Sequence, residues 1–163
     1  MKPRQLAAAA LFVCMGMTVP TMAQSRPFGL GFIVGEPMGG TMKVWFNSYI
    51  GLDFAAGADF GYPSRYLFRY GTPPAYQMHV ELLGHIPFVR TRGPRMPIYI
   101  GGGAKFNWWH GNFEARARTP IGLALLLPRR PFPWEIFFEF APTWGARPRL
   151  FDPDAAMGMR YYF

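Results

Sequence analysis

The stretch Asp154-Ala155-Ala156-Met157-Gly158-Met159-Arg160-Tyr161-Tyr162-Phe163 decides how the rest of the chain is read. Read as an extended strand, it has two unlike sides, because successive side chains point to opposite faces. Met157, Met159, Tyr161 and Phe163 share one side. Asp154, Ala156, Gly158, Arg160 and Tyr162 share the other. A soluble sheet would turn the wide apolar side to a core and leave the acid and the base to water. A barrel in a bilayer turns the apolar side to lipid and the acid and base to its lumen. Taken alone, this strand leaves both readings open.

The same alternation recurs upstream, over residues 28–35, 41–46, 52–60, 75–86, 97–106, 113–127 and 134–141, so the quoted stretch is the last of about eight predicted strands. Turn signals separate them: residues 36–40 and 107–112, and longer connections at 61–74, 87–95 and 143–153. Pro120 falls inside the strand at 113–127. Proline cannot donate to a ladder and a closed barrel has no edge to hide it, so a bulge is predicted there.

Pooling the polar sides settles the direction of the faces. Lys43, Asp53, Asp59, Glu81, Lys105, Glu114, Arg116, Arg118, Glu135, Glu139, Asp154 and Arg160 all fall on one side of their strands, with His79 and His85. The opposite sides carry no charge. Lipid imposes such segregation, since Lys or Arg at mid-bilayer on the outer face of a barrel costs about 2–4 kcal/mol. A soluble ligand-binding barrel would show the reverse, apolar inside and charged outside. The fold class read from the sequence is all-β: a closed antiparallel transmembrane β-barrel of about eight strands. Such a barrel has an interior just wide enough for side chains to fill. Arg116, Arg118 and Arg160 are predicted to pair with Glu135, Glu139 and Glu81 and to plug the lumen. A narrow, porin-like ion-selective pore is the alternative.

Residues 1–23 are read as a cleaved signal peptide and 24–163 as the barrel domain. A basic start (Lys2, Arg4) leads into a short apolar run, too short to span a bilayer as a helix, and a small-residue site at Ala23. The lone cysteine, Cys14, lies in this leader, so the exported chain has no thiol for disulfides or thiolate zinc sites. Without the leader the chain keeps fifteen basic residues against nine acidic ones, about +6. In an exported barrel that balance points to lipid phosphates and not to nucleic acid. Arg65, Arg69, Arg147 and Arg149 in the loops are the residues that would meet outer-membrane lipid, lipopolysaccharide phosphates included. Trp108, Trp109, Trp134 and Trp144 sit at strand ends and are read as interface aromatics.

Chemistry is thin. No catalytic group, cofactor motif or metal-ligand set is expected. His79 and His85 are six apart on one strand, too far to share an ion, and are expected to be satisfied polar lining. Ser25, Ser48 and Ser64 have no nucleophile setting. Lipid-modifying barrels of the deacylase type use a His and a Ser facing lipid, and no outward strand position here holds either.

Two resemblances add to this reading. Gly158, with Tyr161 and Phe163 three and five positions on, resembles the terminal assembly signal of bacterial outer-membrane barrels, which implies recognition by the barrel-assembly machinery. The chain also resembles a family of uncharacterised small outer-membrane β-barrel proteins. Gly29-Leu30-Gly31 with Gly35-Glu36-Pro37, Met96-Pro97-Ile98-Tyr99-Ile100-Gly101 and Arg118-Thr119-Pro120-Ile121-Gly122-Leu123 carry the likeness. It continues through Glu135-Ile136-Phe137-Phe138-Glu139-Phe140-Ala141-Pro142 and Gly158 to Phe163, and omits 61–74 and 107–113. It implies export, a barrel inserted in the outer membrane, and tolerance of Pro120. It implies no activity, and the role expected is structural or surface interaction.

Overall fold

Alternating sequence of this kind has one stable outcome if every backbone group is to be paired: a sheet that closes on itself. The computed structural model describes residues 27–59, 75–90, 94–109, 111–127, 133–145 and 151–163. It contains β1 (Phe28–Gly35), β2 (Met38–Trp45), β3 (Ile50–Asp59), β4 (Ala75–Arg90) and β5 (Arg95–Trp109). These are followed by β6 (Asn112–Arg118), β7 (Ile121–Leu126), β8 (Trp134–Trp144) and β9 (Phe151–Tyr162). Every pairing is antiparallel. Strands pair with their sequence neighbours, except that β6 and β7 each pair with β5 and β8 and not with each other, and β9 returns to β1, with Gly31 opposite Arg160. The fold is a closed, eight-position antiparallel β-barrel in which β6 and β7 together occupy one position of the wall. The proposed leader, residues 1–23, lies outside the described residues.

The wall at Pro120 corrects the predicted bulge. β6 ends at Arg118, opposite Gly103 of β5, and β7 begins at Ile121, opposite Ile100. Three steps on one strand match three on the other, so no residue is inserted. The register against β8 is also unbroken, from Arg118↔Thr143 to Ile121↔Phe140. Pro120 lacks only a donor. Its carbonyl still accepts from the Gly101 N–H at 2.9 Å, and the Thr119 N–H donates to the Pro142 carbonyl at 2.9 Å. The register irregularity lies instead on β4, between Pro87 and Val89, in residues that the sequence reading gave to a connection.

Several strands run further than their alternation suggests. β2 begins at Met38, so the first turn shrinks to Glu36-Pro37, joined by a cis peptide bond. Gly35 enters that turn at φ 123°, a region that side chains with a Cβ rarely adopt. β5 extends to Trp109 and β8 to Trp144, into residues that the sequence reading gave to connections.

The outside of the wall is apolar. Leu30, Phe32, Leu82, Ile100, Ile121, Phe138, Phe140 and Met157 are all exposed on it. Aromatic clusters bound this band at both rims. At the rim that carries the two ends of the described chain, Phe163 touches Tyr161 and Phe28, and Tyr161 stands edge-on to Trp134 at 5.1 Å. At the far rim, Trp108 packs on Phe113 and Phe106, and Trp144 packs on Phe151. Arg95, at the start of β5, is exposed.

A buried ion network as the candidate functional site

Alternation sends every second residue inward, and the inward positions hold the charges. Lys43, Arg118, Glu135 and Asp154 are 0% exposed, and Asp53, Glu81, Lys105 and Arg160 are at most 2% exposed. Charges so far from water persist only with partners and hydrogen bonds. Two clusters supply them.

The first lies towards the rim with the chain ends. Arg160 on β9 forks onto Asp53 of β3, Nη2 donating to Oδ2 at 2.7 Å and to Oδ1 at 2.8 Å. Its Nε and Nη2 also donate to the Thr41 hydroxyl at 3.0 and 2.7 Å, and its Nη1 reaches Glu135 at 3.4 Å. The guanidinium lies over the Phe137 ring, 3.9 Å from its centroid. Arginine suits this place because a planar fork can pair with a carboxylate and stack on a ring together. Lys43 donates to Glu135 at 3.0 Å, Tyr162 donates to the same carboxylate, and Trp45 Nε1 donates to the Tyr162 oxygen at 3.0 Å. His85 stacks beside Trp45 and Tyr99, with ring centroids 4.3 and 5.3 Å away.

The second cluster is centred on Arg118. Its three nitrogens reach three strands: Nη1 to Glu81 on β4, Nη2 to Glu139 on β8 at 2.8 Å, and Nε to Asp154 on β9 at 3.1 Å. Lys105 donates to the other Asp154 oxygen at 2.7 Å. Tyr99 joins the clusters, donating to Glu139 at 3.0 Å while Lys43 Nζ sits 5.2 Å from its ring centroid. In the first cluster two carboxylates meet two cations. In the second, the cations that Glu81, Glu139 and Asp154 meet among the described residues are Arg118 and Lys105, so within this set one carboxylate is in excess.

The sequence-predicted residues separate accordingly. Arg118 meets Glu81 and Glu139, and Arg160 meets Glu135. Arg116 does not join them. It lies nearer the far rim, paired with Glu114 at 3.0 Å and facing Asp152 at 3.8 Å, both partly exposed. The side chain of Asp59 and the arginines at 65, 69, 147 and 149 lie outside the described residues, as does His110. Gly158 faces inward against the Phe137 ring, where a Cβ would collide with that ring, while Tyr161 and Phe163 face outward at the rim. Trp134 stands at the rim with the chain ends; Trp108, Trp109 and Trp144 stand at the opposite one.

The expectation that the strand histidines are satisfied lining holds only in part: His85 Nδ1 lies 3.3 Å from the Tyr49 carbonyl oxygen. His79 Nδ1 and His85 Nε2, both buried, find no hydrogen-bond partner among the described residues. The reason lies in their neighbours. The inward carboxylates nearest His79 are already turned to Arg118, and the far side of the His85 ring meets aromatic rings. Thr41, Tyr99 and Tyr162 also belong to the network, although charge alone did not mark them. Their signal was inward parity, shared with Lys43, Lys105 and Arg160.

The fold and this interior together define a class: small closed β-barrels with an ionic core and an apolar outer wall. Comparison of structures agrees on the fold. The chain is similar to the N-terminal β-barrel domain of OprF from Pseudomonas aeruginosa, with a TM-score of 0.58 and 12% identity, over 83% of this chain and 94% of that one. A second similar structure is Ail, the attachment invasion locus protein of Yersinia pestis, with a TM-score of 0.37 and 14% identity, over 83% and 96% of the two chains. No family model matches the chain, and no curated protein matches it in sequence.

Proposed function

We propose that the chain is an integral barrel of the bacterial outer membrane with a lumen closed by its ion network, and that its role is structural or in surface interaction and not enzymatic. The observation that carries this is the inversion of polarity: buried, paired charges inside, and an exposed apolar band between two aromatic rims outside. Water outside the wall would favour the opposite arrangement. β8 and β9, of 11 and 12 residues, have the length that a tilted strand needs to cross the hydrocarbon layer, about 9–11 residues. Insertion would follow export by the leader at 1–23 and recognition of Gly158, Tyr161 and Phe163 by the barrel-assembly machinery. Arg65, Arg69, Arg147 and Arg149 would meet lipopolysaccharide phosphates in the outer leaflet.

Closure of the lumen rests on Arg118 and Arg160, each of which bridges three strands across it. The test is single-channel conductance of the refolded chain in a planar bilayer, with folding first checked by mobility on gels with and without boiling. The expected outcome is a heat-modifiable band and no conductance steps. Steps in the wild type would establish the pore reading. Identical mobility of boiled and unboiled samples would overturn the membrane barrel.

A further inference from the structure

The second cluster holds more acceptors than its cations use. Glu81 Oε2 has no hydrogen-bond partner among the described residues, and neither has His79 Nδ1, two positions along the same inward face of β4. Both side chains are at least nine-tenths buried. Glu139 approaches them from β8 across the lumen, and one ligand atom from each of the three residues lies within 4.8 Å of the others. Arg118 engages one oxygen of each glutamate, Oε1 in both cases, and so holds the carboxylates in place while leaving Glu81 Oε2 unused.

We infer that His79, Glu81 and Glu139 form a binding site for a first-row transition-metal dication, with zinc as the representative ion. One imidazole nitrogen and two carboxylates make the borderline donor set such ions prefer; calcium and magnesium favour oxygen alone. The excess carboxylate of this cluster offsets part of the ion's charge. Metal–ligand distances of about 2.1 Å put donors roughly 3.4 Å apart, so the three side chains close by about an ångström on binding. Three protein ligands leave a fourth position for water.

More unpartnered polar atoms lie on the same face. Beyond His79, towards the far rim, Gln77 stands opposite Asn107, and Asn107 stands opposite Glu114. Both polar atoms of Gln77, Oδ1 of Asn107 and Oε2 of Glu114 lack hydrogen-bond partners among the described residues. This file of orphaned polar atoms lines the face from the partly exposed Glu114 to the site and would offer oxygen and nitrogen ligands to an ion on its way in. The site needs only the barrel interior, so it does not depend on what covers the outer wall.

The test is calorimetric titration of zinc chloride into the chain refolded in detergent, with magnesium chloride as control and gel mobility as the check on folding. One zinc per chain is expected, with a micromolar or tighter dissociation constant and no magnesium binding. His79→Ala and Glu81→Gln are each expected to weaken binding at least tenfold, and His110→Ala to leave it unchanged. Zinc-edge X-ray absorption on the wild type needs no variant to fold; it should report one imidazole with otherwise oxygen ligands. Absence of zinc binding, unchanged binding in folded His79→Ala, or a shell of two or more imidazoles would each overturn the assignment.

Discussion

At the scale of the residue, Arg118 is the group on which the interior turns. Its side chain is fully buried, and three carboxylates from three strands depend on it. A buried pair adds little to stability over apolar packing, but removing one partner strands the others, typically at about 3–5 kcal/mol. Arg118→Ala is therefore expected to destabilise the barrel by about that amount, read as a lower urea midpoint for unfolding from lipid vesicles. Arg116→Ala should move the midpoint less, because Glu114 and Asp152 are partly open to water. An unchanged midpoint for Arg118→Ala would mean the three carboxylates find other partners. The inward position of these charges was legible in the sequence, because parity along a strand is a local property. Their partners were less so. Which side chains meet across a lumen depends on the height each strand brings them to, and height follows from register. Arg116 and Arg118 share a strand face, yet two residues of rise separate a rim pair from a central one.

At the scale of the element, the wall position shared by β6 and β7 shows how a proline enters a closed sheet. One donor is missing, and the register continues on both sides. The sequence predicted trouble at Pro120 correctly in place and wrongly in kind. A bulge answers a mismatch in residue number, and proline causes none. Pro120→Ala is expected to keep the fold and change stability by less than about 1 kcal/mol, since it restores a single N–H. A change in the cross-strand contacts of Ile121 with Phe140, measured by nuclear Overhauser effects in micelles, would show that the proline sets the register after all. The extra length of β5 and β8 escaped the sequence reading for a related reason. Residues 107–109 and 143–144 read as connections, yet they pair in the ladder up to its last steps, Trp109↔Asn112 and Trp144↔Phe151.

At the scale of the whole molecule, the inversion of polarity makes a prediction that depends on the medium. Phe138 lies on the outer wall, midway along β8, and is exposed. Phe138→Arg is expected to cost about 2–4 kcal/mol for folding into lipid vesicles, the cost of a mid-depth cation on a lipid face. If the wall met water instead, a surface change of this kind would cost within about 0.5 kcal/mol. Equilibrium unfolding from vesicles distinguishes the two. The closed fold was legible as a whole because each strand repeats one message, apolar on one side and polar on the other. What the message omits is where the strands stop and which polar groups are left without partners. Those depend on the assembled wall, and His79 is the clearest example.

The pairing of β9 with β1 joins the two ends of the described chain and so sets an order in time. β9 is the last of the described strands in chain order, and it brings Asp154 and Arg160 with it. Until then β1 and β8 are open edges, Arg118 lacks one carboxylate, and Asp53 lacks its arginine. Open edges invite pairing with other chains, and contacts this far apart in sequence form late. The interior cannot be settled piecemeal before β9 is in place. The strand that closes the barrel is also the one that completes the neutralisation of its core.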